Sequence, residues 1–593
     1  MRQPFISRKK DGSKELIRDH LREVGDYSKC CSAKFGLPTF GYLAGVLHDF
    51  GKFSDSFQER IYNDIDNGAI HSQQGAKFIL EQKQVAIVKE IIAQVIFAHH
   101  GSLLDGVDSD GELPMFDKLS NNEAKFDYEN AKKRFENEFD NLNFTALLNQ
   151  ASDELMLFCQ HFLQDEQAKK ELPFYIHLLT KAIYSGLIDA DRTCAYLFDI
   201  DEERKYSEPV RKWQELSESL EKYLQKFSNV DKLNQMRQKI SDQCLEKAAF
   251  ETGVYQLNVP TGGGKTLSSL RFALNHAEKN KKDHIIYVVP YLSVLDQTAN
   301  TIKEALGYQE SDDYILEHHS NVLRPEGDEE NSHYRLLTSS WNSPIILTTM
   351  VQFLETIYSN KGSNLRKFQN MANSILIFDE VQALPTKCTH LFNLSINFLN
   401  QIGDSTILLC TATQPILDKV DRPIILSETP NLVELSVEDL AVFKRTNIVD
   451  QTNNAYSTDG LTEFIRQQIS EEKSTLAIFN TKKQAQDIFE AVKKLDGCHP
   501  FFLSTGLCAA HRIDVLNQVK KSLDDKNEIT VLISTQLVEA GVDVSFECVI
   551  RAQAGLDSIV QAAGRCNRSG EFGGVKDVFV IKGTSNNYQL IHL

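Results

Sequence analysis

At 593 residues the chain is too long for one hydrophobic core, so two to four domains are expected. Its 41% hydrophobic and 25% charged residues are those of ordinary globular protein, and no stretch approaches the roughly 20 apolar residues that span a bilayer. A net charge of −18 argues against a surface coated in basic residues, though not against a local basic groove for a single strand; eleven cysteines without CxxC spacing argue against a zinc ribbon or a disulfide framework and fit a reducing cytoplasm.

The first segment, MRQPFISRKKDGSK, lacks the apolar core and cleavage site of a signal peptide. Residues 1–220 read as mainly helical, since IIAQVIFAHHG and FYIHLLTKAIYSGLIDADR are apolar-periodic without strand alternation. The highly charged run at 118–141 reads as a solvated helix and connector. Within this region His20, His48–Asp49, His71 and His99–His100 form a sparse series at helix ends and in loops. Imidazole and carboxylate suit manganese, iron, cobalt, nickel or zinc. An aspartate directly after a histidine can bridge two metals held by the flanking histidines. Such a pair, about 3.5–4 Å apart, activates water against a phosphodiester. Lys52, one turn from His48, could then neutralise phosphate. LIDADR offers Asp191 as the closing carboxylate, with Asp189 as a rival.

Residues 221–250 read as a polar helical linker. From about 250 the texture changes to short β-rich runs alternating with amphipathic helices: VYQLNVP, HIIYVVP, SPIILTT, SILIFDE and STILLCTAT, then TLAIFNT, FFLST, ITVLIST, ECVIRA and DVFVI. That alternation predicts parallel sheets covered by helices, in two α/β lobes at 251–430 and 431–593. The acidic, irregular stretch near 416–450 separates the two sets.

Thr261, Gly262, Gly263, Gly264, Lys265 and Thr266 follow a predicted strand and precede a helix, the setting of a phosphate-binding loop. Glycines let backbone N–H groups approach the phosphates, Lys265 reaches the terminal phosphates, and Thr266 can ligate Mg²⁺. The full pattern wants glycine at 259, where this chain has Val259. Asp379 ends an apolar strand and can hold Mg²⁺ through water, while Glu380 can orient the attacking water. In QAAGRCNR, Gln561, Arg565 and Arg568 are spaced to share one helical face, from which the arginines could reach a γ-phosphate on the other lobe.

TGGGKT, IFDEVQ, TAT at 411–413, STQLVEAGVDVSF and QAAGRCNR resemble, in this order, a superfamily 2 helicase of two RecA-like lobes with ATP between them. That resemblance implies that Asp543 contacts the nucleotide. It implies that Tyr291, Ser293, Gln297, Thr348, Thr349 and Thr481 lie along a nucleic-acid path. It also puts Arg237 or Gln238 near the adenine. The histidine series with HDFGK and AHHG resembles an HD-superfamily phosphohydrolase, so the expected fold is an all-α HD domain followed by two α/β lobes. Together the motifs resemble the CRISPR-associated HD nuclease–helicase family of type I systems. By that resemblance His20, His48, Asp49 and Asp191 hold one metal, and Asp49, His71, His99 and His100 hold another. The family implies a monomer with ATP and Mg²⁺, and Mn, Co, Ni or Fe in the HD site. It acts on single-stranded DNA in an R-loop marked by the Cascade complex with its guide RNA, pulled 3′→5′, with no membrane partner. Members usually continue into a linker and an accessory C-terminal domain, whereas this sequence stops about 25 residues after QAAGRCNR. Rival readings are an HD phosphohydrolase of nucleotides or cyclic oligonucleotides, a repair or restriction nuclease–helicase, and a metal-free docking module.

Overall fold

A computed structural model describes residues 4–583 apart from 11, 66–69, 123–125, 164–165, 201, 203–208, 210, 228–230, 310–313, 320–327, 414, 526, 540–541 and 569. The chain opens with an antiparallel hairpin, β1 (Ile6–Lys10) and β2 (Ser13–Leu16), which the helical expectation for this region did not include. Helices follow: Ile17–Ala33, Pro38–Leu47, Asp55–Asn63, Gln74–Leu80, Ala86–Ala98 and, after shorter ones, Phe144–Phe162 and Glu166–Asp199. No helix among the described residues is long and apolar enough to cross a membrane.

The charged run at 118–141 is not simply solvated. Helix Tyr128–Glu138 turns Tyr128, Ala131 and Phe135 inward, and Phe135 is fully buried. Its ring lies 4.8 Å from those of Phe50 and Phe139 and 5.5 Å from that of Phe78. Three or four apolar residues at helical spacing suffice to bury one face, whatever the charge density of the other.

The predicted α/β lobes are present. In the first, β3 (Val254–Asn258), β4 (His284–Val289), β5 (Ile315–His318), β6 (Ile345–Thr349), β7 (Ser374–Asp379) and β8 (Thr406–Thr411) form a parallel sheet in the order β3-β8-β7-β4-β6-β5. In the second, β9 (Thr446–Tyr456), β10 (Ser474–Phe479), β11 (His499–Leu503), β12 (Thr530–Thr535), β13 (Cys548–Ala552) and β14 (Lys576–Gly583) run parallel as β11-β12-β10-β13-β14-β9. β4, β6, β7, β8, β10 and β12 are buried along their whole length, as helices on both faces of a parallel sheet require. The edge strands β5 and β9 are the two that the apolar pattern did not reveal. β9 reads TNIVDQTNNAY and starts inside the stretch taken as a separator.

The expected linker at 221–250 packs on the first lobe instead of bridging. Helices Trp213–Leu224 and Lys232–Lys247 bury Trp213, Leu220, Ile240 and Cys244 in that lobe's core, and the Trp213 indole N–H donates to the Lys282 carbonyl at 2.8 Å.

One hydrophobic cluster runs without a break from the helical domain into the first lobe, from Ile17 and Leu43 to Phe368, Phe378 and Phe398. At the seam the Phe35 ring meets those of Phe368 at 6.0 Å and Phe398 at 5.9 Å. The second lobe has its own cores on the two faces of its sheet.

Candidate functional site

Close helix contact builds the metal-ligand cluster. Helix Pro38–Leu47 lies so near helix Ile17–Ala33 that a Cβ on Gly45 would stand 2.6 Å from the Gly25 Cα. That approach sets the His20 and His48 ring centroids 5.2 Å apart. A Cβ on Gly51 would likewise stand 2.4 Å from the His71 carbonyl, so only glycine lets the His71 loop close over the site.

Asp49, buried, sits at the centre. Its Oδ2 faces His48 Nε2 at 3.2 Å and His20 Nε2 at 3.5 Å. Its Oδ1 faces His99 Nε2 at 3.4 Å, His71 Nε2 at 3.6 Å and His100 Nε2 at 3.9 Å. Asp191 Oδ1 completes the first group, 3.6 Å from His48 Nε2 and 3.7 Å from His20 Nε2. The ligand atoms of His20, His48, Asp49 and Asp191 lie within 4.8 Å of one another, as do those of Asp49, His71 and His100. His99 aims at the same carboxylate from outside the second tight group. Between the rival carboxylates, the structure turns Asp191 into the cluster and Asp189 away from it, onto Arg366 at 2.7 Å.

The donor set fits divalent cations. His48 Nδ1 and His99 Nδ1 are hydrogen-bonded to the carbonyls of Gly45 at 2.7 Å and Ile96 at 2.6 Å, which leaves Nε2 of each as the lone-pair nitrogen of the neutral ring. Nε2 of His20, His48 and His99 and Oδ1 of Asp49 are buried without a hydrogen-bond partner. Buried lone pairs with no donor are costly, and cations satisfy them together. Burial opposes charge on His48, yet Asp49 and Asp191 raise its pKa to about 10, so a cation binding there has to displace a proton from Nε2, while burial and the neighbouring imidazoles of His99 and His71 lower His100 to about 3. Asp49 and Asp191 are held well below the usual carboxylate range, against burial, chiefly by Lys52 and His48 for Asp49 and by His48 for Asp191. Lys52 was expected to meet phosphate. Its ammonium instead pairs with Asp49 Oδ2 at 2.5 Å and donates to Ser7 Oγ at 3.0 Å. In the first group His20, His48 and Asp49 are buried and Asp191 is partly exposed, whereas the His100 side chain is 48% exposed, so the cluster opens to solvent most widely on that side.

The second site is a cleft of about 470 Å³ between the lobes. Gly262 and Gly264 adopt φ of 81° and 82°, and helix Lys265–Asn280 starts directly behind them. Thr261, Gly262, Gly264, Lys265, Thr266, Asp379, Glu380, Asp543, Gln561, Arg565 and Arg568 all line it, with Arg237 and Gln238. Gly263 is not on that wall: its α-carbon faces Val259, where a Cβ would stand 2.4 Å from the valine side chain. Lys265 Nζ bridges Asp379 at 2.8 Å and Glu380 at 2.5 Å, and these carboxylates raise its pKa against burial. A chain of hydrogen bonds ties the TAT segment to this pair: Thr411 Oγ1 donates to Gln382 Oε1 at 2.6 Å, and Gln382 Nε2 donates to Glu380 Oε2 at 2.5 Å. Glu380 holds φ of 51°, a strained conformation for a non-glycine residue.

The arginines come from the other lobe, but not from one helical face. The helix ends at Ala563, and Arg565 and Arg568 occupy the turn beyond it. Arg565 donates to the carbonyls of Val538 at 3.0 Å and Glu539 at 2.8 Å, and Arg568 to that of Val542 at 3.1 Å. Arg568 also pairs with Asp543 at 3.1 Å. Burial, then repulsion from Arg568, lowers Arg565 to about 9.

Three family models match the chain in sequence: "HD domain" at 17–125, "DEAD/DEAH box helicase" at 237–421 and "CRISPR-associated nuclease/helicase Cas3, C-terminal" at 471–571. The chain carries the domain set of the CRISPR-associated nuclease/helicases. Such a set pairs an ATP-dependent helicase, which uses Mg²⁺, with a nuclease domain that holds divalent metal. A CRISPR-associated nuclease/helicase Cas3 of Haloferax volcanii is 24% identical over 90% of this chain and 71% of its own length. Its counterpart from Methanothermobacter thermautotrophicus is 25% identical over 53% of this chain and 38% of its own. The crystal structure of T. fusca Cas3 with ATP shares the fold at a TM-score of 0.66, with 15% identity over 98% of this chain and 75% of that one.

The residues expected on the nucleic-acid path fare unevenly. Tyr291 is exposed and Ser293 half-buried at the start of helix Leu292–Leu306. Gln297 of that helix lines the nucleotide cleft. Thr348 is fully buried and donates to the His318 carbonyl at 3.1 Å. Thr349 and Thr481 cap helices through the N–H groups of Gln352 at 3.3 Å and Gln484 at 3.2 Å. Thr348 is thus shielded from any strand. Sequence reading missed Arg445, which donates from the start of the second lobe to the Thr261 carbonyl at 2.6 Å. Arg237 donates to the Gly262 carbonyl at 2.8 Å. No local motif marks Arg445, because the contact joins residues 184 positions apart.

Proposed function

We propose that the protein is a 3′→5′ single-stranded DNA translocase that feeds its strand to a metal-dependent HD nuclease, which nicks and then degrades target DNA. The observation that carries the nuclease half is Asp49, whose two oxygens face two separate groups of histidines. His20, His48, Asp49 and Asp191 would hold one cation, and Asp49, His71, His99 and His100 the other. The imidazole and carboxylate donors favour Mn, Co, Ni or Fe. When bound, a metal pair supplies Lewis acidity to the scissile phosphate and to the water that attacks it.

The chain's own residues do the rest. Lys52 holds the Asp49 carboxylate in place, and the open side at His71 and His100 admits the backbone of a single strand. In the motor, Thr261, Gly262 and Gly264 cradle phosphate with backbone N–H groups, Lys265 leaves its carboxylates for the terminal phosphates, and Thr266 and Asp379 hold Mg²⁺. Glu380 orients the attacking water. Gln561, Arg565 and Arg568 engage the γ-phosphate as the lobes close, with Asp543 holding Arg568 in place. Tyr291, Ser293 and Thr481 remain for the strand.

The proposed setting is DNA cleavage in CRISPR interference, an antiviral defence in the prokaryotic cytoplasm; the relatives' name, CRISPR-associated nuclease/helicase Cas3, supports it. A neighbour of the same fold, with a TM-score of 0.59 and 14% identity, is titled a CRISPR RNA-guided surveillance complex, pre-nicking. A Cascade complex that displaces one strand through its guide RNA is accordingly the proposed partner of this monomer. Domain limits of 1–220, 251–430 and 431–593 are proposed with it, except that helices Trp213–Leu224 and Lys232–Lys247 are counted with the first lobe, on which they pack.

Circular single-stranded DNA tests the reading, because it has no ends. With Mn²⁺ and no ATP the protein is expected to linearise it, and Lys265→Ala to nick it equally while losing ATP hydrolysis and processive degradation. Hydrolysis of small nucleotides with the circle left intact would overturn the nuclease assignment. ATP hydrolysis surviving in Lys265→Ala would overturn the motor site.

A further inference from the structure

Helix Glu166–Asp199 carries Asp191, and it is fastened on its other side to the motor. Lys181, Ser185, Asp189 and Thr193 recur at intervals of four, so they form one stripe along the helix. Each meets the segment before β7. Lys181 Nζ donates to the Ile357 carbonyl at 3.0 Å. Ser185 Oγ donates to the Arg366 carbonyl at 3.1 Å and accepts the Gln369 N–H at 2.9 Å. Asp189 accepts Arg366 Nε at 2.7 Å and Gln369 Nε2 at 3.1 Å, and Thr193 Oγ1 accepts Arg366 Nη2 at 2.9 Å. Arg366 and Asp189 are both buried, 4% and 2% exposed, so their pairing is not screened by water.

Two positions on a helix lie about 200° apart round its axis, so Asp189 and Asp191 project to opposite sides. Any rotation or slide that disturbs one displaces the other. The same helix steadies the far wall of the cluster, because Tyr184 Oη donates to the carbonyls of Ala98 at 3.0 Å and Gly101 at 3.1 Å, which flank His99–His100. The motor end of the link is short: the segment runs straight into β7, whose carboxyl end carries Asp379 at the nucleotide cleft.

We propose that Arg366, a residue of the motor lobe, is a positioning residue for the nuclease: by gripping Asp189 and Thr193 it fixes the register in which Asp191 meets His20 and His48. The proposal rests on the metal-site reading above. It assigns part of the nuclease's ligand geometry to the lobe that hydrolyses ATP.

Mn²⁺ titration of the intact chain, followed by calorimetry, tests it alongside ATP hydrolysis and thermal unfolding. Arg366→Lys keeps the charge but loses the forked contact to Asp189 and Thr193. It is expected to weaken Mn²⁺ binding by about tenfold or more, as loss of a residue supporting a metal ligand does, and to raise the Mn²⁺ needed for half-maximal cleavage, with kcat at saturating Mn²⁺ and ATP hydrolysis little changed. Gln369→Ala removes one hydrogen bond to Asp189 and should weaken Mn²⁺ binding less, which keeps the test open if Arg366→Lys fails to fold. Unchanged Mn²⁺ affinity in folded Arg366→Lys or Gln369→Ala overturns the proposal. Asp191→Ala separates the two claims: if it binds Mn²⁺ as the parent does, the metal-site reading itself is wrong.

Discussion

The nuclease cluster and the nucleotide cleft solve opposite problems with similar charges. In the cluster the imidazoles and both carboxylates come from one helical domain and converge on Asp49, already within 4 Å of their partners. In the cleft the acidic and phosphate-binding side, Lys265 with Asp379 and Glu380, belongs to one lobe, and Arg565 and Arg568 belong to the other. The first site is assembled before substrate arrives. The second draws its residues from both lobes, an arrangement that suits a motor, because motion of one lobe against the other can open and close it in each ATP cycle.

The sharpest way to break that contrast is Asp49→Ala. Removing the residue that both histidine groups share should abolish Mn²⁺-dependent cleavage and leave ATP hydrolysis intact, as read by a nicking assay beside phosphate release. Loss of both activities would mean that the sites are not separate. Arg565→Ala should lower kcat for ATP hydrolysis by about 10³-fold or more, the contribution of an arginine supplied across an interface. Cleavage of circular single strands without ATP should persist in that variant, and an equal fall in cleavage would refute a preformed nuclease. Phe135→Ala should cost about 3–5 kcal/mol of stability. Because the nuclease domain and first lobe share a core, heating should inactivate cleavage and ATP hydrolysis of this variant together; ATP hydrolysis that outlasts cleavage would divide that core. The smallest effect belongs to Thr348→Val, about 1 kcal/mol of stability from one buried hydrogen bond, with single-strand affinity unchanged in a filter-binding assay.

The two sites were not equally legible in the sequence. His20, His48, Asp49, His71, His99, His100 and Asp191 could be picked out because imidazole is rare and its chemistry is narrow, and the phosphate loop because glycines before Lys265 have few other uses. Family resemblance alone favours Asp191 over Asp189, since residue spacing does not record helix rotation; in the structure Asp191 faces His20 and His48, and Asp189 faces Arg366. Arg565 and Arg568 matched helical spacing but lie beyond the helix end, where nothing local records the turn. Thr348 and Thr349 are placed on the nucleic-acid path by family resemblance, and the sequence could not show that both are buried. Phe135 was hidden by the charges around it. Strand β9 was hidden because an edge strand with many polar residues lacks the apolar run that marks its neighbours.

The stacking of Phe35 on Phe398 also has a consequence for synthesis. The helical domain leaves the ribosome first, yet part of its core is supplied by a side chain encoded more than 350 positions later. At about 5–20 residues per second, roughly 200 further residues separate the end of helix Glu166–Asp199 from Phe398, a wait on the order of 10–40 s. Throughout that interval the nascent domain exposes apolar surface to its surroundings. A chaperone that shields the nascent N-terminal half should therefore raise the yield of full-length protein, and pausing translation between residues 200 and 400 should lower it.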